Sequence, residues 1–391
     1  MSTLAAIVRR PPPWRDLQLL RVLLQAAFLF GVVVLVLYLF DNLVDNMRRQ
    51  GLRTGFEFLD QPAGFAIPDS DFRSSQSIQD ALVVGVKNTL LVSAVGIVLA
   101  TLLGIVVGVA RLSANWLVRR AAALYVETFR NVPVLIIIIF LWAAVFLRLP
   151  PIGRAVEWGN VFVLSNRGLV IPKPVGTEPL SVFLVVLGIG AVVALAAAVW
   201  RTRRFDATGE PHHRVLWAGG VLLLAAVVGF FAGGQPLGLS LPERGDLGVA
   251  QGFRLAPEYA ALLLGLVVYT ASHIAEIVRG AILAVQRGQT EAANAVGLSE
   301  LQRLRFVVLP QAFRIMIPPL ANQYLNLTKN SSLAVAISYY EVTRITRISI
   351  SQGAPAPQGI ALLMFAYLVI SLTIAAITSL INRRLTIRGQ R

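Results

Sequence analysis

The 391-residue sequence contains no cysteine. That single absence excludes disulfide bonds, thiolate metal sites and cysteine nucleophiles. Charge is also scarce: Asp, Glu, Lys and Arg make up 14% of the chain, against about 25% in an ordinary soluble domain. Only His212, His213 and His273 represent histidine, and none has the companions a metal requires, so no metal site is expected. No Gly-Lys dipeptide occurs, which removes the G-x-x-x-x-G-K-[ST] phosphate loop, and neither G-x-S-x-G nor H-E-x-x-H is present. No catalytic residue is therefore expected, and any ATP hydrolysis must belong to another polypeptide. What is abundant is apolar side chain: 56% of residues are hydrophobic and the mean hydropathy is +0.70. A compact soluble enzyme has nowhere to bury so much.

A helix needs about 20 apolar residues to cross a hydrocarbon core. Suitable runs lie at 20–40, 82–109, 121–147, 180–200, 215–232, 259–284, 316–340 and 359–382. The chain is thus expected to be all-α, a polytopic transmembrane bundle of about eight spans. The first run is too long for a signal-peptide core and has no small-residue cleavage site behind it. Pro11-Pro12-Pro13 before it reads as a stiff linker. The net charge of +15 sits in short connectors, not in a groove interleaved with aromatics, so no nucleic-acid partner is expected. With the N-terminus inside, 18 Lys and Arg residues fall in inner segments and 12 in outer ones, and the outer loops are longer. Both termini are expected in the cytoplasm.

Some polar residues lie inside the runs. In the seventh, Asn322, Asn326, Lys329 and Asn330 follow helical spacing and form one stripe, which Ser331 and Ser332 extend. Such a stripe faces a cavity or another helix, not lipid. It reads either as a translocation path, with Lys329 meeting a carboxylate, or as hydrogen-bonding between helices. In the third run Glu127, Arg130 and Asn131 offer an i,i+3 ion pair, with Arg130 and Asn131 also candidates to line the path. Pro133 predicts a bend there. Glu276 and Arg279 repeat the ion-pair spacing.

The connector between the sixth and seventh runs is unusually structured. It predicts a short helix over Thr290–Val296 capped by Thr290, a left-handed stop at Gly297, and a second helix from Ser299 to Val308 interrupted by Pro310. Glu291-Ala292-Ala293, Gly297, Val307 and Leu309-Pro310 at these intervals resemble the cytoplasmic "EAA" signature of ABC-importer permeases, with Val307 where Ile is usual. Further stretches are similar to the polar-amino-acid branch of that family. They are Gly85-Val86-Lys87-Asn88-Thr89-Leu90, Glu127-Thr128-Phe129-Arg130-Asn131-Val132-Pro133, Ala275-Glu276-Ile277-Val278-Arg279-Gly280 and Lys329-Asn330-Ser331-Ser332-Leu333. The likeness spans about 85–147 and 259–382. Ordinary members lack the first run and the pair at 180–200 and 215–232. The long form resembles one permease subunit of the general L-amino acid transporters.

The resemblance implies a type I importer core in a bacterial inner membrane. It implies that Glu291, Ala292, Ala293, Gly297, Leu309 and Pro310 dock on a separate ATPase dimer, which would hold ATP and Mg. A second homologous permease, a periplasmic amino-acid-binding protein and an L-amino acid substrate are the other implied partners, besides membrane lipid. Residues 1–80 then form a tail, first span and periplasmic loop, and 81–385 the permease domain, with an insertion at 149–257 and the coupling loop at 286–312. The alternative is a stand-alone secondary transporter or channel, though the halves of the chain lack the self-similarity such proteins often show.

Overall fold

The computed structural model describes residues 17–385 apart from 50, 52–53, 160, 177–179, 209–212, 233–236, 246–247 and 250. The Pro11–Pro13 linker, His212, and the orientation charges Arg9, Arg10, Arg15, Arg53, Arg388 and Arg391 lie outside the described residues.

Helix α1 (Leu17–Arg49) is 33 residues long and keeps almost its whole surface exposed, as an isolated span in lipid would. The following segment does not remain a free loop. Phe58, Ile67 and Phe72 fold onto Ile78 and Ala81 and form a small apolar cap. Helix α2 (Ile78–Ala110) starts at Ser77, whose hydroxyl caps Asp80 N while Asp80 closes the reciprocal bond.

The third apolar run is not one crossing. Helix α3 (Trp116–Asn131) and helix α4 (Val134–Phe140, continued by tighter and wider turns to Arg148) meet at 101°. Pro133 has no N–H to continue the ladder and forces Val132 out of the helical region, to φ −96° and ψ 129°. The expected single span at 121–147 is therefore a broken one.

The insertion carries more than two helices. Strands β1 (Val156–Trp158), β2 (Phe162–Ser165) and β3 (Gly168–Ile171) form antiparallel hairpins, followed by β4 (Lys173–Gly176). Helices α5 (Leu180–Thr208) and α6 (Arg214–Ala232) then pack chiefly on each other, with Gly190 tight against Ala225. Strands β5 (Leu237–Ser240), β6 (Arg244–Gly245), β7 (Gly248–Val249) and β8 (Phe253–Leu255) return the chain, with β5 pairing to β4 and β8 to β3. The all-α expectation thus holds for the spans but misses these small sheets.

Helix α7 (Pro257–Leu283) is the buried centre. It packs along α2 at Gly104 and Gly108, spaced one turn apart, which face Ala271, Ile274, Ala275 and Val278, while Gly96 two turns earlier faces Leu327 before Leu263. Small residues at this interval let two backbones approach, the packing that membranes favour where apolar burial gives no drive. Beyond α7 come α8 (Arg287–Ala295), α9 (Glu300–Arg303), α10 (Leu309–Asn330), α11 (Val342–Ser351) and α12 (Ala356–Leu385). Seven helices among the described residues are long and apolar enough to cross a membrane, or eight if the bent pair counts as one.

Candidate functional site

The connector between α7 and α10 is an elbow. Helix α8 starts at Arg287, three residues before the expected Thr290 cap, and Gln286 precedes it with no side-chain cap. It ends at Gly297, which has φ +78°. Gly297 N donates to Asn294 O (3.0 Å) and Leu298 N to Ala293 O (3.1 Å), the paired bonds of a Schellman stop. Ser299 then caps α9, and Gln302 closes the box. Across the elbow Arg303 Nη1 donates to Asn294 Oδ1 (2.8 Å) and Gln311 Nε2 to Gln289 Oε1 (3.1 Å).

Pro310 does not interrupt the second helix, contrary to expectation. The chain widens into a π-helical turn over Leu304–Val308 and continues directly into α10. Pro310 has no N–H for an ordinary helical bond and would crowd the turn before it; the wider turn absorbs both effects.

Glu291, Ala292 and Gly297 are exposed, Ala293 is buried, Leu309 is half-buried and Pro310 exposed. Sequence reasoning missed two neighbours, Val296 and Leu301, which are 76% and 75% exposed. Their signal was an apolar side chain on each side of a glycine stop. The elbow therefore presents a small polar helix flanked by apolar tips, with none of the described residues covering it.

On α10, Asn322, Asn326 and Lys329 share an exposed face, with Asn330 half-buried at its end. Ser331 leaves that face. The helix tightens to three residues per turn over Ser331–Ile337, which turns Ser331 inward to donate to Thr328 O (2.7 Å) near the Tyr367 hydroxyl. Ser332 donates to Lys329 O (2.8 Å). The expected extension of the stripe through Ser331 is thus corrected: it ends at Asn330 and Ser332.

Glu127 and Arg130 form no ion pair, which corrects the expectation for that spacing. Both are exposed, and Asn131 Nδ2 donates to Glu127 O (2.7 Å). The carboxylate that gathers the arginines is Glu276. It binds Arg279 on its own helix and Arg111 at the end of α2, and it lies within electrostatic reach of Arg130. Spacing within one helix could not reveal the Arg111–Glu276 pair, which joins two.

Glu341 was also missed. It is fully buried and caps α11, accepting from Thr343 N and Arg344 N (both 2.9 Å) and from the Tyr367 hydroxyl (3.0 Å). Burial pushes its carboxyl above the ordinary range, partly offset by these donors. The helical spacing of the small and apolar residues Val342, Ile345, Thr346 and Ser349, which form its buried face, was the available signal for α11.

Residues 100–388 match the family described as binding-protein-dependent transport system inner membrane component. The chain is 37% identical to the general L-amino acid transport system permease protein AapQ of Rhizobium johnstonii, over 96% of this chain and 93% of that one. It is 40% identical to the putative amino-acid ABC transporter permease protein YhdX of Escherichia coli, over 93% and 94%. It is 35% identical to the glutamate/glutamine/aspartate/asparagine transport system permease protein BztB of Rhodobacter capsulatus, over 92% and 91%.

Proposed function

The chain belongs to the family of binding-protein-dependent transport system inner membrane components, and we propose that it is the membrane-spanning permease of an ATP-driven importer of polar L-amino acids. The observation that carries this reading is the uncovered elbow: two short helices fixed at an angle by Gly297, exposing Glu291, Ala292, Val296 and Leu301. Small side chains permit close approach, and the Schellman stop makes the joint stiff enough to transmit a push. A separate ATPase dimer, holding ATP and Mg, would seat this elbow together with Leu309 and Pro310.

The exposed Asn322, Asn326 and Lys329 face supports a second, homologous permease opposite it, with the substrate passing along the seam. Arg130 and Asn131 are exposed on α3 and are assigned to the same path. A periplasmic binding protein would deliver the amino acid at the far end, and both termini would be cytoplasmic. Residues 81–385 would be the permease domain, with 149–257 inserted into it. ATP binding would stabilise the outward-open state and hydrolysis would release it, so that transport follows from differential stabilisation of two conformations.

The test is Gly297→Asp in the reconstituted complex. At φ +78° aspartate adds less strain than most residues would, and its carboxylate places a new charge at the joint. Assembly and ATP hydrolysis are expected to persist while amino-acid uptake falls to background. Wild-type uptake by this variant would overturn the coupling role. Uptake by the purified chain alone, driven by a proton or sodium gradient, would favour a stand-alone transporter.

A further inference from the structure

At the end of the bundle opposite the elbow, a cavity of about 420 Å³ opens between four segments remote in sequence. Its volume falls in the range of small-molecule sites. The segment after α1 contributes Asp69, β8 contributes Arg254, and the first turn of α7 contributes Glu258 and Tyr259. The turn before α11 adds Ser338 and Tyr339. The segment after α1 and strand β8 thus meet α2, α7 and the turn before α11 at this point.

Asp69 sits at φ 56°, a left-handed conformation that aspartate tolerates. Arg254 Nη1 meets Asp69 Oδ1 at 3.2 Å across 185 residues of sequence, and Arg254 Nε donates to Arg167 O at 2.9 Å. These bonds fix the guanidinium, and both Arg254 and Asp69 line the cavity. Both side chains stay accessible, at 46% and 37% exposed. Glu258 is steadied by the Trp142 indole at 3.5 Å, and the rings of Tyr259 and Tyr339 lie 5.8 Å apart and wall one side. The site therefore offers one fixed cation and two carboxylates beside two phenol rings.

We propose that this cavity is a receiving site for an α-amino acid zwitterion, with Arg254 taking its carboxylate and Asp69 with Glu258 its ammonium. The inference rests on the reading of the chain as an amino-acid permease and adds a place where substrate pauses before the membrane path. A lone carboxylate or a lone amine would leave one half of the arrangement unmatched. A zwitterion satisfies both, and charge-assisted bonds are the strong ones.

The experiment uses the assembled complex in lipid nanodiscs without binding protein, and measures binding of L-glutamine, N-acetyl-L-glutamine and L-glutaminamide. The wild-type complex is expected to favour glutamine over each blocked analogue by about tenfold or more, the loss of a charge-assisted bond. Arg254→Met is expected to abolish discrimination against the amide alone. The double variant Asp69→Asn, Glu258→Gln is expected to abolish discrimination against the N-acetyl analogue alone. Unchanged discrimination in both variants, or an equal loss for all three compounds, would reduce Asp69–Arg254 to a structural clasp and overturn the proposal. If the wild type imports glutamine while the cavity variants leave discrimination untouched, this site fails and the permease reading stands. If the wild type imports no amino acid, the permease reading itself fails.

Discussion

Gly104 on α2 lies so close to Ile274 on α7 that a β-carbon added there would come within 2.5 Å of Ile274 Cγ2. Ile274 is fully buried and cannot swing aside. Overpacking of this kind costs about 1–3 kcal/mol. Gly104→Ala is expected to lower the thermal midpoint of the purified protein. Gly31→Ala, where nothing lies within 4 Å, should leave it unchanged. Equal midpoints for both variants would show that the α2–α7 contact is looser than this geometry.

Glu276 gathers Arg111 from α2 and Arg279 from α7, with side chains 26%, 17% and 30% exposed. Removing the shared carboxylate leaves two partly buried guanidinium groups without their partner. Hydrogen bonds to charged groups contribute about 1.5–3 kcal/mol, so Glu276→Gln should destabilise by that order. Arg111→Met combined with Glu276→Gln should cost less than the two single changes together, because the second change removes a group already unpaired. A double-mutant cycle on denaturant midpoints measures this; strict additivity would deny the interaction.

These two contacts mark the limit of what the sequence discloses. Gly297 and Ser299 were legible because stops and caps demand particular residue chemistry, and both act as expected. The bend at Pro133 was legible as a bend, but its 101° angle depends on how α4 packs over Gly265 of α7. The Glu127–Arg130 pair does not form because helical spacing only permits a pair and both side chains are exposed, whereas Glu276 pairs with Arg111 on another element as well as Arg279 on its own. Pro310 was read as a break because a π turn, which needs no new residue type, leaves no compositional mark. The strands of 149–257 are two to four residues long, too short for alternation to stand out beside the apolar runs. Tertiary closeness, at the Gly104–Ile274 contact as in the Asp69–Arg254 cavity, is invisible to pattern.

Glu341 gives a pH dependence with a definite sign. Burial raises its carboxyl above the ordinary value of 4.5, so the folded protein holds this proton more tightly than the unfolded chain. The associated stabilisation is fully present below that ordinary value and is lost as pH rises through the folded-state pKa. Glu341→Gln removes the titration and keeps one acceptor for the α11 cap. The difference in thermal midpoint between variant and wild type should therefore shift in the variant's favour as pH rises from acid toward neutrality. A pH-independent difference would show that Glu341 titrates alike in both states.

Lys329 and Asn326 occupy the opposite situation, exposed on α10 among the described residues. Substitutions at such positions usually change stability by about 0.5 kcal/mol or less. Lys329→Met and Asn326→Leu are accordingly expected to leave the thermal midpoint of the isolated chain within a degree or so of wild type. In the assembled importer the same face would meet the second permease and the passing substrate. Uptake by Lys329→Met should fall sharply while the complex still co-purifies, because a lost cation removes a substrate contact without removing the seam. Full uptake by Lys329→Met would exclude it from the path. Loss of co-purification would instead assign this face to holding the two permeases together.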